Sequence, residues 1–180
     1  KYPDINIRLH TAIWTESLDH DNIDIDIRSG HGNWPGFHSQ KIHTEPSVLV
    51  ATPENVKLLK QSIETGNTSL ISHLSCVRIM GCEGRWQKIL DTHLKGADLE
   101  VNITVDTSLN SVQLASSGAC ISLVLKAHAQ PDLDSGKLMR VVEQDFDYDD
   151  SHYLLTPIKD EKSKPESLLF RNWLLDQAQI

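Results

Sequence analysis

Strand-type and helix-type segments alternate along most of the chain, and this alternation constrains the fold more than any other feature. Apolar and polar residues alternate at 5–9, 23–28 and 99–105, which is typical of half-buried strands. Continuous apolar runs at 48–51 and 121–125 are typical of strands buried on both faces. Further strands are predicted at 74–80, 138–142 and 153–156.

Helical periodicity fills the intervals between these strands. Thr52 and Pro53 predict the start of a helix that stops at Gly66. Other helices are predicted around Trp86, from 106–108 to Gly118, in a short stretch up to 134, and at the C-terminus, where Ser163 and Glu166 have capping-box spacing. A final wide apolar face is expected from Leu169, Phe170, Trp173 and Leu174. Such alternation predicts an α/β fold with largely parallel sheets.

Charge and composition exclude several classes of function. The net charge of the 180 residues is -8, and the basic residues are scattered, which disfavours direct nucleic-acid binding. No apolar run approaches the roughly 18 residues of a membrane span, and no signal peptide is recognised. Cys76, Cys82 and Cys120 show no CxxC spacing, so we expect reduced thiols in a cytoplasmic protein, with Cys76 and Cys120 in the core.

Two polar strand ends are the strongest candidates for a binding site. Arg28, Ser29, Gly30 and His31 follow one predicted strand, and Asp106, Thr107 and Ser108 join another directly to a helix. Ligands of open α/β sheets bind where strands end and helix N-termini begin. Two simpler interpretations stay open: Thr107 or Ser108 caps its helix, and Arg28 pairs with Asp24 or Asp26.

Metal and enzyme sites find little support in the residue spacing. The intervals between His31, His38 and His43 exceed those of tight zinc-binding pairs, and no cysteine lies near them. The chain has no G-x-S-x-G and no G-x-G-x-x-G followed by a helix. We therefore predict no catalytic residues, no metal and no cofactor.

Several segments, in order, resemble one family. The segment "NIDIDIRSGHGNWPGFHSQKI", which begins at Asn22, is similar to the G-x-G-x-[WY]-P-G region of LysR-type transcriptional regulators, especially the glycine-cleavage-activator and AmpR-like subgroup. "LVATP", "VDTSLNSVQLASSGACISLV", "DLDSGKLMRVV" and "HYLLTPIKDEKSKPESLLFRNWLL" resemble later segments of the same effector-binding domain. The resemblance extends over essentially the whole chain.

The resemblance implies a two-part α/β fold of the periplasmic-binding-protein type (type 2), joined by two crossover strands. Subdomain I would comprise 1–50 and 139–180, and subdomain II would comprise 51–138. The chain starts past the family's first strand, so we expect that strand of subdomain I to be missing. The DNA-binding winged helix-turn-helix would precede residue 1. Gly118-Ala119-Cys120 replaces the family's usual G-x-G, which puts close packing there in question.

The resemblance also implies that the chain senses a small polar effector in the cleft between the subdomains. The expected effector-binding residues are Arg28, Ser29, Gly30, His31, Asp106, Thr107 and Ser108, with Tyr153 closing the cleft. The implied protein is a cytoplasmic homodimer or tetramer that contacts DNA only through its other domain. Two alternatives remain: a solute-binding protein of a transport system with the same architecture, and an enzyme on an α/β scaffold.

Overall fold

The computed structural model describes residues 2–12, 23–158 and 164–178. They divide into two compact units: unit 1 comprises 1–44 and 149–180, and unit 2 comprises 45–148. In chain order the elements are β1 (Asp26–Gly30), β2 (Phe37–His43), β3 (Ser47–Ala51), α1 (Pro53–Thr65), β4 (Ser75–Ile79), α2 (Arg85–His93), β5 (Val101–Val105), α3 (Ser108–Ser116), β6 (Cys120–Leu125), α4 (Lys126–Asp134), β7 (Met139–Arg140), β8 (Ser151–Pro157) and α5 (Pro165–Ala178), with a 3-10 helix at Thr68–Ile71.

Unit 2 is built on a five-stranded sheet in the order β5-β4-β6-β3-β7. Strand β4 runs parallel to β5 and β6, whereas β3 runs antiparallel to β6 and β7. One apolar cluster includes Val56 and Leu59 of α1 and Trp86 of α2, and a second includes Val112 of α3 and Ala129 of α4. The sheet is therefore covered on both faces, as the continuous apolar runs of β3 and β6 predict.

Unit 1 contains a three-stranded sheet in the order β1-β8-β2, and both pairings are antiparallel. The expectation of largely parallel sheets is therefore wrong for unit 1, and in unit 2 two of the four pairings between neighbouring strands are parallel. Strand β2 was not predicted, because its sequence, FHSQKIH, has no regular apolar alternation. The strand is stabilised instead by its pairing with β8, whose Leu154 and Leu155 are buried.

The predicted strand at 5–9 does not form. Residues 5–12 have neither helix nor strand structure, and Ile7 and Leu9 are 69% and 87% exposed. Alternation gives a strand only where a neighbouring strand accepts its backbone hydrogen bonds, and no described residue pairs with this segment. The predicted cap Ser163 lies outside the described residues. The predicted C-terminal helix forms as α5, but none of the residues in it is buried among the described residues.

The ends of α1 match the sequence prediction. The Thr52 hydroxyl accepts a hydrogen bond from the Asn55 amide at 3.3 Å, and Gly66 ends the helix in the left-handed conformation. Asn55 itself is buried and donates from Nδ2 to the carbonyl oxygen of Gly118 at 2.8 Å. This bond ties α1 to the turn before β6, so close packing persists there although Ala119-Cys120 departs from the family's G-x-G.

The chain passes between the units after Thr44 and again after Tyr148. The subdomain boundaries implied by the resemblance, at 50/51 and 138/139, remain predictions. The boundaries between the two compact units lie several residues away from those positions, so that unit 2 is longer at both ends. The reason is that β3 and β7 pair with each other inside unit 2. The backbone of Ser47 and Phe146 also exchanges two hydrogen bonds, each of 2.8 Å.

Thiol labelling provides a test of the unit 2 core. Cys76 and Cys120 are buried and Cys82 is half-buried, and burial raises the pKa of Cys76 to about 12 and that of Cys120 to about 11. Because the thiolate is the reactive form, a disulfide reagent at about pH 8 should label only Cys82 in the native protein. All three cysteines should react in urea. Fast native labelling of Cys76 or Cys120 would contradict the described core.

Candidate functional site

The predicted binding residues of unit 1 lie on one sheet, where Arg28 of β1 is directly opposite Tyr153 of β8. The Arg28 guanidinium donates to the Asp26 carboxylate, from Nη2 at 2.7 Å and from Nε at 3.0 Å. It also lies 5.0 Å from the centre of the Phe37 ring. Arg28 thus already has a carboxylate partner, Asp26, and an aromatic partner, Phe37. The other carboxylate considered from the sequence, Asp24, pairs with Lys164 at 2.8 Å.

The loop after β1 folds against Tyr153. The Trp34 ring meets the Tyr153 ring edge to face, with 5.6 Å between the ring centres. Gly32 has φ +83°, and a Cβ atom there would lie 2.7 Å from Cε1 of Tyr153. Both the backbone angle and the ring therefore require glycine at position 32. Ser29 and His31 are exposed on either side of Gly30, so the loop offers polar groups beside an aromatic corner.

The predicted residues of unit 2 lie at the carboxyl end of β5. The Thr107 hydroxyl accepts a hydrogen bond from the Asn110 amide at 3.2 Å, and Asp106 accepts one from Asn110 Nδ2 at 2.7 Å. Thr107 is therefore the N-cap of α3, as the simpler interpretation has it. Thr107 and Ser108 are both half-buried. A hydroxyl at a helix N-terminus also suits a polar ligand, so the two interpretations are compatible.

The sheet of unit 2 has a topological switch point between β4 and β6. From β4 the chain crosses to β5 on one side through α2, which packs in the first apolar cluster. From β6 it continues through α4 toward β7 on the other side, and α4 packs in the second cluster. Ligands of open α/β sheets bind at the carboxyl ends of the strands beside such a point. In this chain that edge is formed by the turn at 80–84 and by Lys126.

Charged residues at this edge were missed by the sequence analysis. Asp145 accepts hydrogen bonds from Arg140 and, at 3.1 Å, from Lys126, and these bonds, that from Arg140 foremost, lower the pKa of the Asp145 carboxyl. Glu45 accepts a 2.8 Å hydrogen bond from the Ala127 amide in the first turn of α4. The segments next to both unit boundaries are thereby fixed to α4.

Arg78 was also missed, although the sequence contained a signal for it. It is the one charged residue in the otherwise largely apolar segment 74–80. In the structure its Nη2 donates to the Thr104 hydroxyl on β5 at 3.2 Å, while its buried Nε has no hydrogen-bond partner. A cation on a central strand, one residue before the strand ends, lies where ligands of this sheet type bind.

Within 2–12, 23–158 and 164–178, no three His, Cys, Asp or Glu side chains are grouped closely enough to hold a metal ion. No helix in this part of the chain is both long and apolar enough to cross a membrane.

Comparison with known proteins places the chain in a family. Residues 1–179 match the family model described as the LysR substrate binding domain. The chain is 23% identical over 177 residues to the HTH-type transcriptional activator AmpR of Citrobacter koseri, covering 98% of this chain and 59% of that protein. It is 25% identical over 177 residues to the glycine cleavage system transcriptional activator homolog of Haemophilus influenzae, covering 97% of this chain and 56% of that protein. The chain thus spans less than two thirds of these relatives.

Solved structures show the same fold. The effector domain of AmpR from Pseudomonas aeruginosa superposes with a TM-score of 0.71 at 22% identity, covering 99% of this chain and 83% of that chain. The AmpR effector binding domain from Citrobacter freundii gives a TM-score of 0.74 at 16% identity, covering 99% and 86%. These likenesses confirm the predicted fold class. With the family-model match over 1–179, they lead to one conclusion: the chain belongs to the LysR substrate-binding-domain family.

Proposed function

We propose that this chain is the effector-sensing part of a LysR-type bacterial transcriptional regulator. It binds a small polar molecule and thereby controls DNA binding by another domain of the same polypeptide. The observation that carries the proposal is the match of residues 1–179 to the LysR substrate binding domain model. The curated relatives that the chain resembles are named as transcriptional activators, and the net charge of -8 suits a domain that does not itself contact DNA.

The residues that we propose to contact the effector are those selected from the sequence: Arg28, Ser29, Gly30, His31 and Tyr153 in unit 1, and Asp106, Thr107 and Ser108 in unit 2. Two features support them. Ser29 and His31 are exposed beside the Trp34–Tyr153 corner, and Thr107 and Ser108 lie at the carboxyl end of β5. Because Arg28 is already bonded to Asp26, its proposed role is to hold the sheet edge and offer its remaining donors.

The proposed mechanism is a shift between conformations. An effector that makes more contacts in one arrangement of the domain than in another favours that arrangement by the difference in binding free energy. In a cytoplasmic homodimer or tetramer, this shift would change how the DNA-binding domains are presented.

The experiment uses the whole polypeptide that contains this chain and the DNA upstream of its gene. DNA affinity is measured by fluorescence anisotropy with and without amino acids, muropeptides and small organic acids. We expect one of them to change the DNA affinity by about 5- to 150-fold, the usual range of allosteric coupling. A polypeptide that binds these molecules but never the DNA would instead favour the solute-binding alternative.

A matched pair of variants separates binding from helix capping. Thr107→Val and Thr52→Val each remove an N-cap hydroxyl, and each should cost about 1 kcal/mol of stability. Only Thr107→Val should weaken effector binding, by roughly tenfold for one lost hydrogen bond, as measured by titration calorimetry. Equal affinity in the two variants would remove Thr107 from the site.

A further inference from the structure

The Arg78 side chain is a cation whose hydrogen-bonding capacity is only partly used. Its Nε is buried and has no partner, and its Nη2 donates to Thr104 at 3.2 Å. Among the described residues Arg78 forms no ion pair. Buried donors in folded proteins are normally bonded to protein, to water or to a ligand, so this guanidinium needs a further acceptor.

The nearby carboxylate of Glu83 does not fill that role. Glu83 Oε1 accepts a hydrogen bond from the Gly81 amide at 3.0 Å, and this bond is the main cause of the lowered pKa of Glu83; the charge of Arg78 is the least of its causes. Glu83 therefore serves the turn at 80–84 and leaves the Arg78 fork open to another oxyanion.

The surroundings of Arg78 favour an anion rather than a neutral molecule. Helix α2 begins directly after the turn, and its N-cap residue Gly84 provides no side-chain cap, so the first amide groups of α2 add positive potential there. Arg85, the first residue of α2, stacks over the Tyr148 ring at 4.0 Å. The Arg78 guanidinium and a helix N-terminus thus lie next to the turn at the carboxyl end of β4.

We propose that Arg78 anchors an oxyanion, a carboxylate or a phosphate, of the molecule that unit 2 recognises. The inference rests on the proposed sensing function and specifies the chemical class of the effector. A planar guanidinium binds either oxyanion with two parallel hydrogen bonds. Arg78 directs Nη2 to Thr104 and its Nε is buried, so the anion would be held through the remaining Nη protons.

The first experiment follows the Nε–Hε signal of Arg78 by NMR in the whole chain, identified by its loss in Arg78→Lys. Malonate and inorganic phosphate are titrated separately, with malonamide as the neutral analogue and sodium chloride to match ionic strength. We expect a saturable shift with malonate or phosphate and none with malonamide; the responding probe distinguishes a carboxylate from a phosphate ligand. No shift with either anion, or the same shift with sodium chloride alone, would overturn the proposal.

The second experiment compares Arg78→Gln with Lys88→Gln, which removes the same charge from an exposed position on α2. Urea unfolding first establishes that both variants fold. Arg78→Gln should weaken the binding of the responding anion by roughly tenfold to hundredfold, whereas Lys88→Gln should change it little. Equal affinity in both variants would overturn the proposal.

The outcome of the sensing test is separable from this one. A neutral effector that binds equally well to wild type and Arg78→Gln would overturn the Arg78 proposal and leave the sensing function standing. An Arg78-dependent anion that changes no DNA affinity would support the anion site and count against the sensing function.

Discussion

Replacing Trp86 with alanine is expected to destabilise the protein by about 3–5 kcal/mol. The Trp86 side chain is 3% exposed and lies in the apolar cluster between the sheet and α1 and α2. Its Nε1 also donates to the carbonyl oxygen of Val77 at 2.9 Å, which fixes α2 to β4 beside the candidate site. The variant therefore loses buried apolar area, leaves a cavity and breaks a buried hydrogen bond. Urea unfolding followed by circular dichroism measures the loss, since the substitution changes the fluorescence.

Two control variants divide this effect. Trp86→Phe keeps an aromatic ring but loses the hydrogen bond to Val77. We expect this variant to lose about 1 kcal/mol of stability from the hydrogen bond and a further amount from the smaller buried ring. Trp173→Ala removes the same group from a position that is 52% exposed, where the ring contact with Phe170 is lost, and should cost no more than about 1.5 kcal/mol. If Trp86→Ala cost as little as Trp173→Ala, the described packing of α2 would be incorrect.

Gly32→Ala should destabilise unit 1 more than Gly36→Ala does, although both glycines have nearly the same φ angle. Their φ angles are +83° and +86°, so each substitution carries about 1–2 kcal/mol of left-handed strain. A Cβ at Gly36 meets nothing within 4 Å, whereas one at Gly32 lies 2.7 Å from the Tyr153 ring. The clash should add about 1–3 kcal/mol, and near-UV circular dichroism should report the displaced aromatic corner.

A double-mutant cycle tests whether Tyr153 causes the difference. In a Tyr153→Ala background the ring is gone, so Gly32→Ala should cost no more than Gly36→Ala. A difference that persists without the ring would contradict the contact between Gly32 and Tyr153, and with it the shape proposed for the unit 1 half of the site.

The sequence predicted elements well where local signals and burial agree. Thr52 and Gly66 bound α1 as expected, and the continuous apolar run at 121–125 matches a strand covered on both faces. The prediction failed where a partner segment decides the structure. Strand β2 has a polar sequence but pairs with β8, whereas 5–9 has a strand-like sequence but no described partner.

The candidate site shows the same limit. The polar strand ends at 28–31 and 106–108 were identified from type and position, because caps and turns have local signatures. Their partners were not, since the Arg28–Asp26 bond was one of two open choices and the contact between Gly32 and Tyr153 joins distant parts of the chain. The role proposed for Arg78 could not be predicted, because its position beside the switch point depends on the strand order of unit 2.

The measurement that tests the central claim most directly is an NMR titration of the whole chain with each small molecule that alters DNA affinity. Sensing at the polar strand ends predicts saturable shifts centred on the amides of Ser29 and His31 and of Thr107 and Ser108. Shifts confined to the open recess lined by Leu90, Leu94 and Leu99 at the end of α2, or no saturable shift with any molecule that alters DNA affinity, would contradict it.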